Sequence, residues 1–266
     1  MNAGWRVPVL TYHAVGEGPR PLFTPSRLFD AHLAALEKAG LRTVPLSALV
    51  DALAGGKAAP ERSVAVTFDD GYRSFVDEAW PRLQAHGFGA TVFLVSGHCG
   101  GDNLWQTQKS GVPRSALLDW DQAGRLAAEG VELGAHSRTH APLTVLSEAE
   151  AETEIAGSRA DIEARTGHPV RLFAYPYGAS NPGTEAIVRR HFAGAVSVRL
   201  GIAGPSSDPF QIPRVDAHYV SAASIAWLRR DVFRAYLSAR QVLRDARRRV
   251  SSDWSSPGDP TRASDE

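Results

Sequence analysis

The residues of this chain best suited to chemistry fall in three short clusters: Thr67-Phe68-Asp69-Asp70-Gly71-Tyr72, His136-Ser137-Arg138-Thr139-His140 and Tyr175-Pro176-Tyr177-Gly178. An H-x-x-x-H pair sets two imidazoles one helical turn apart, so both can face one metal ion. With a carboxylate they make a three-ligand site that keeps positions open for water and substrate. The adjacent aspartates can supply that carboxylate and a separate base, and a cation beside them offsets the repulsion between neighbouring carboxylates. Gly71 permits the tight turn that swings the pair into a site. Taken singly, Asp-Asp-Gly reads as a surface turn, the histidine pair as solvated or core histidines, and Tyr-Pro-Tyr-Gly as a turn. Their placement argues for chemistry. Each cluster follows a strand-like run, and in parallel α/β folds the C-terminal ends of the strands converge on one face.

The elements that must position these clusters alternate between short β-branched runs and amphipathic stretches, the pattern of repeated βα units. Strands are expected over 7–13, 41–44, 63–68, 90–96, 131–135, 170–174, 194–198 and 212–215. Helices are expected over 26–39, 47–53 and 74–86, the last kinked or interrupted by Pro81. Asp119 with Gln122, and Ser147 with Glu150, have the spacing of capping boxes and open helices to about Glu129 and Thr166. The architecture this predicts is an irregular (β/α) barrel with roughly seven or eight parallel strands. A doubly wound open sheet is the alternative, because strand count does not separate the two. The segment 97–118, rich in glycine and polar residues, is long enough to form a functional rim.

Residues 221–250 read as one long C-terminal helix, with Ile225, Leu228, Val232, Tyr236, Ala239 and Leu243 at helical spacing and arginines over the remainder. Residues 251–266 are polar and proline-containing and are expected to be a disordered tail. This leaves 1–220 as the globular body. Lys+Arg and Asp+Glu balance at 29 each in 266 residues, so no overall field points to nucleic acid. The single cysteine, Cys99, has no partner for an intramolecular disulfide and reads as a small packing residue. The sequence shows neither a signal-like leader nor a membrane-spanning run, so the expected location is cytoplasmic. The basic helix would give weak association with an anionic inner-membrane surface.

The T-F-D-D-G-Y, H-S-R-T-H and F-A-Y-P-Y-G blocks, in that order, resemble the first three motifs of the polysaccharide deacetylase family, the NodB-homology domain of carbohydrate esterase family four. L-T-Y-H-A-V, A-T-V-F-L-V-S and D-W-D-Q look like its exopolysaccharide-deacetylase branch. The resemblance spans about 7–215 and makes 1–220 the catalytic domain. It implies hydrolysis of acetyl groups from N-acetylated amino sugars, the substrate being an N-acetylated sugar or oligosaccharide. O-deacetylation and a non-catalytic carbohydrate-binding domain are the alternatives. It further implies that Asp70, His136 and His140 bind one divalent metal ion, usually zinc. Asp69 would be the general base acting on the attacking water, and the Tyr177 N–H an oxyanion donor.

Other members carry arginine in F-R-P-P-Y-G where this chain has Ala174, so another arginine must hold the base. Arg214, in Ile212-Pro213-Arg214-Val215-Asp216, is the first candidate and Arg171 the second. The histidine that protonates the leaving amine in relatives is missing in its usual form, and His218 is the expected substitute. His13, Tyr72, Trp105 and Tyr175 are expected to line the substrate pocket, and Trp120 to pack beside its helix start.

Overall fold

The computed structural model describes residues 5–55, 61–108 and 111–250, so the expected tail over 251–266 lies outside the described residues. The strands are β1 (Val9–Tyr12), β2 (Ala14–Val15), β3 (Phe23–Thr24), β4 (Arg42–Thr43), β5 (Ser63–Phe68), β6 (Thr91–Leu94), β7 (Glu132–Ala135), β8 (Leu172–Ala174), β9 (Gly194–Leu200) and β10 (Ile212–Asp216). The helices are α1 (Ser26–Lys38), α2 (Leu46–Leu53), α3 (Trp80–Ala85), α4 (Trp120–Ala128), α5 (Glu148–Thr166), α6 (Pro182–His191), α7 (Ala222–Ile225) and α8 (Asp231–Val250). β1 pairs in parallel with β5 on one edge and β10 on the other. The ring β1-β5-β6-β7-β8-β9-β10 is therefore closed, and the open-sheet alternative is excluded. β4 is added outside the ring, on the beginning of β5. β2 and β3 form a separate pair.

The period-two alternation of the strands sorts their side chains into two layers. Val64, Val66 and Phe68 of β5, with Phe173 of β8 and Val215 of β10, pack against helix residues such as Phe29, Leu33, Ile155 and Ile187. Their neighbours Ala65, Leu172, Ala174 and Ile212 join Val9, Phe93 and Val196 in a second cluster inside the ring. Leu46, Leu49 and Val50 of α2 belong to that inner cluster, so α2 plugs one end of the barrel. Its first turn has no side-chain cap of its own. The Glu132 carboxylate at the start of β7 accepts from the Leu46 N–H at 2.9 Å and the Ser47 N–H at 3.2 Å, placing an anion on the unpaired amides. Plugging the strand starts leaves the strand C-terminal ends for a site.

Gly134 is required by this packing, because a Cβ there would meet the Phe93 ring at 2.4 Å. Gly134→Ala is expected to cost about 1–3 kcal/mol through overpacking, more than the strand entropy it recovers. A lower thermal unfolding midpoint would show this; an unchanged one would mean that Phe93 has room to move.

Both expected capping boxes are formed, at Asp119/Gln122 and Ser147/Glu150. The stretch from Phe75 to Ala79 winds as a π-turn, and α3 follows with Pro81 in its first turn, where its missing N–H is least costly. Helix α6 is an addition to the sequence reading. Its signal is Asn181-Pro182-Gly183-Thr184, in which Asn181 caps the helix with Thr184 and Pro182 opens it. The expected C-terminal helix is not continuous: α7 ends at Ile225 and α8 starts at Asp231. The break lets Ile225 and Leu228 enter the core together with Phe233 and Leu237 of α8, which an unbroken rod would not allow. Among the described residues no helix is long and apolar enough to cross a membrane.

Candidate metal centre and hydrolytic site

The three clusters meet at the C-terminal ends of β5, β7 and β8. Asp69 and Asp70 leave β5 directly, and Asp70 turns through φ 71° and Gly71 through φ 68°. A Cβ on Gly71 would also press the Leu94 side chain at 2.8 Å. The H-x-x-x-H motif is not a helical turn, contrary to the sequence expectation. His136 follows β7, and the chain then runs irregularly with Ser137 at φ 62° and His140 at φ 58°. Tyr177 sits at φ 58° in the turn after β8. Arg62 apart, these four are the non-glycine residues with positive φ among the described residues. Left-handed backbone costs such residues about 1–3 kcal/mol each and persists only where surrounding contacts impose it.

The convergence produces a tight donor group. His136 Nε2 and His140 Nε2 each lie 3.4 Å from Asp70 Oδ1, and the three donor atoms fall within 4.8 Å of one another. Ligands bound at about 2.0–2.1 Å in a tetrahedron stand about 3.4 Å apart, so this spacing fits one small divalent ion. The remaining ring nitrogens are engaged on the far side. His136 Nδ1 meets the Ala174 carbonyl at 2.7 Å, and His140 Nδ1 meets the Tyr177 hydroxyl at 2.9 Å. These are the outer bonds that turn Nε2 toward a cation. Burial would raise the Asp70 carboxyl, but the two imidazoles outweigh it and hold Asp70 well below the ordinary range. Burial alone would lower His136; its bond to Asp70 prevails and raises it, whereas burial prevails at His140 and lowers it.

Asp69 is separate from this group and differently held. Arg214 reaches it from β10 with two bonds, Nη1 to Oδ1 and Nη2 to Oδ2, both 2.7 Å. Arg214 Nε donates to the Ser197 carbonyl at 3.0 Å, which fixes the plane of the guanidinium. Both partners are nearly inaccessible, at 3% and 4% exposed, so each charge depends on the other. Burial would raise the Asp69 carboxyl, and the Arg214 charge holds it below its ordinary value instead. Arg171 is not the holder: it pairs with Asp51 of α2 at 2.6 Å, at the plugged end of the barrel.

The structure sorts the other expected site residues. His13, after β1, is half-buried, and the end of β1 lies in register with the end of β5, where Asp69 begins. Tyr72 is 2% exposed, and its hydroxyl accepts from Asn103 Nδ2 at 3.2 Å beside Asp70. Trp105 also does not offer an open platform, because its indole stacks on His140 with centroids 4.3 Å apart. Tyr175 is 1% exposed and belongs to the layer between barrel and helices, packing on Phe173, since residues next to each other along a strand face opposite ways. His218 is exposed and lines a groove of about 540 Å³ with Tyr219, Trp227, Tyr236 and Arg240, which none of Asp69, Asp70, His136 and His140 lines. Trp120 packs on the outer core beneath Arg165. Cys99 is half-buried, and burial pushes its thiol up to about 12, so it stays protonated and unreactive. Asn103, Thr107 and the Tyr177 side chain were not singled out in the sequence. Thr107 and the Tyr177 side chain make their contacts across long separations, and no local spacing marks them.

A buried carboxylate–imidazole group beside an arginine-held aspartate, on the open end of a parallel barrel, is equipment for hydrolysis at an acyl carbon. Similarity to known proteins narrows this class. The polysaccharide deacetylase family model matches residues 56–193, just over half the chain, and the protein belongs to that family. It is an enzyme of the polysaccharide deacetylase class. YxkH of Bacillus subtilis (strain 168) is 25% identical over 211 residues, covering 79% of this chain and 71% of that protein. The poly-beta-1,6-N-acetyl-D-glucosamine N-deacetylase of Staphylococcus aureus is 25% identical over 162 residues, which make up 59% of this chain and 54% of that enzyme. IcaB from Ammonifex degensii superposes with a TM-score of 0.72 at 28% identity, over 84% of this chain and 96% of that one. The Streptococcus pyogenes deacetylase PplD, solved with acetate, shares the fold with a TM-score of 0.72 at 21% identity, over 85% of this chain and 97% of that one.

Proposed function

We propose that the protein removes the N-acetyl group from amino sugars of a glycan or glycan precursor, releasing acetate, with Asp70, His136 and His140 holding one divalent cation. Zinc suits a donor set of two imidazoles and one carboxylate that leaves room for water and substrate. The observation that carries the reading is the division of labour between the aspartates: Asp70 faces both imidazoles, and Asp69 is held apart by Arg214. A bound divalent cation supplies Lewis acidity at this place, toward water and toward an acyl oxygen. Asp69 takes the proton of the attacking water, and Arg214 keeps it ionised and aimed. A carboxylate has about four acceptor positions, so the two bonds from Arg214 leave Asp69 able to accept that proton.

The Tyr177 N–H supplies a donor to the carbonyl oxygen as it gains charge. The bonds closing that turn, Gly178 N–H to Tyr175 O and Ala179 N–H to Pro176 O, do not use it. His13 follows β1, whose Tyr12 is in register with Phe68 just before Asp69, and we assign it to the substrate contact. An amide rather than an ester substrate is favoured by the S. aureus relative, whose name specifies N-deacetylation.

Acetate release from N-acetylglucosamine oligomers, run beside acetylated xylan, tests this. Release from the oligomers is the expected result; release from xylan alone would make the protein an O-deacetylase. His136→Ala should lose most of its metal and its acetate release together. Full metal occupancy in that variant, read by elemental analysis, would overturn the ligand assignment.

A further inference from the structure

The two histidines of the donor group are held in unlike ways. His136 Nδ1 rests on the Ala174 carbonyl at 2.7 Å, a backbone atom at the end of a barrel strand. His140 has no such support: it sits outside regular structure at φ 58°, and its Nδ1 meets a side chain, the Tyr177 hydroxyl, at 2.9 Å. That hydroxyl is itself 2.6 Å from Thr107 Oγ1. Trp105, two residues before Thr107, stacks on the His140 ring at 4.3 Å and 30°, and the Tyr177 ring meets it edge-on at 4.5 Å and 75°. We infer that Tyr177, Trp105 and Thr107 are positioning residues for His140, so that the segment 102–107 sets how tightly Asp70, His136 and His140 hold a divalent cation. The inference rests on the ligand assignment proposed above.

The protons are consistent along this chain of bonds. With Nε2 turned toward Asp70, the imidazole proton sits on Nδ1 and is donated to Tyr177 Oη, whose own hydrogen is then donated to Thr107 Oγ1. An outer bond of this kind fixes both tautomer and ring orientation, and its loss typically costs 10–100-fold in metal affinity.

The segment is rigid enough to transmit such control. Asn103 is fully buried and donates from Nδ2 to Tyr72 Oη at 3.2 Å and to the Pro113 carbonyl at 3.1 Å. Its Oδ1 accepts from the Ser115 N–H at 2.8 Å, and its carbonyl accepts from Gln108 Nε2 at 2.9 Å. Trp105 packs with Ala14, Tyr72, Val95 and Leu117. Tyr72 lies beside Asp70, so one segment bears on two of the three ligands.

Tyr177→Phe tests the inference, since it removes the hydroxyl and keeps the ring and the backbone N–H. Cobalt and zinc affinities are measured by competition with a chelator, and the visible bands of the cobalt protein report ligand geometry. Tyr177→Phe is expected to weaken binding about 10–100-fold and shift the cobalt bands. Thr107→Val should shift both in the same direction by less, and metal-free thermal unfolding should change little in either. Wild-type affinity and spectrum in Tyr177→Phe, beside loss of metal in His136→Ala, overturn the positioning role alone. Retention of metal in both variants overturns the ligand assignment and the positioning role with it.

Discussion

Asp69→Asn keeps its metal and loses turnover, by about 10²–10⁴-fold in kcat, the usual contribution of a positioned base. The substitution preserves shape while removing the proton acceptor and its charge, and the group of Asp70, His136 and His140 is left whole. The buried Arg214 guanidinium then faces a neutral amide, so some stability is lost as well, and metal content and rate are to be measured well below the unfolding midpoint. Elemental analysis beside acetate release separates the outcomes. A variant that loses its metal would reverse the roles of the two aspartates, and one that keeps both metal and rate would remove Asp69 from the mechanism.

Arg214→Met carries the second large effect, and it falls on stability first. Removing one member of a buried pair leaves the other charge without compensation, at a cost of about 3–5 kcal/mol. Asp69, at 4% exposed, has no bulk water to turn to. For a protein of this size that corresponds to an unfolding midpoint lower by roughly 6–20 °C. Arg214→Lys should fold better than Arg214→Met and still turn over poorly, because an ammonium cannot make the two parallel bonds that fix the carboxylate plane. Thermal unfolding of the metal-free proteins and kcat of the loaded ones give the two readouts. Full activity in Arg214→Lys would show that Asp69 needs a positive neighbour and not a particular orientation.

The pairing also supplies the arginine expected to hold the base in a chain that has Ala174 after β8's Phe173. Ala174 faces the barrel interior beside Leu172 and Val196, a place for a small apolar residue. Arg214 points inward from β10 and bridges to Asp69 above that apolar layer. The charge is thus delivered from a different strand to the same carboxylate. A strand-end position on the far side of the ring in sequence is adjacent in space only because β10 closes on β1, with Leu10 opposite Val215.

The parts legible in the sequence are those set by short-range covalent and hydrogen-bonding geometry. Alternation along 63–68 puts Val64, Val66 and Phe68 on one face and Ala65 and Thr67 on the other, which aims Asp69 inward before any tertiary contact is considered. Caps at Asp119 and Ser147 are likewise local, because donor and acceptor are three residues apart. The Asp69-Asp70 and His136/His140 clusters announce their chemistry by residue type. Tertiary structure alone decided which way each of the two tyrosines near Pro176 would face, Tyr175 into the outer core and Tyr177 onto His140. It also placed His218 on an outer groove and Arg171 at the plugged end, and it bent the H-x-x-x-H motif away from a helix. These outcomes depend on register between strands far apart in sequence and on contacts from the segment 102–107. The energy of such contacts exists only once the ring has closed, so no local pattern encodes them.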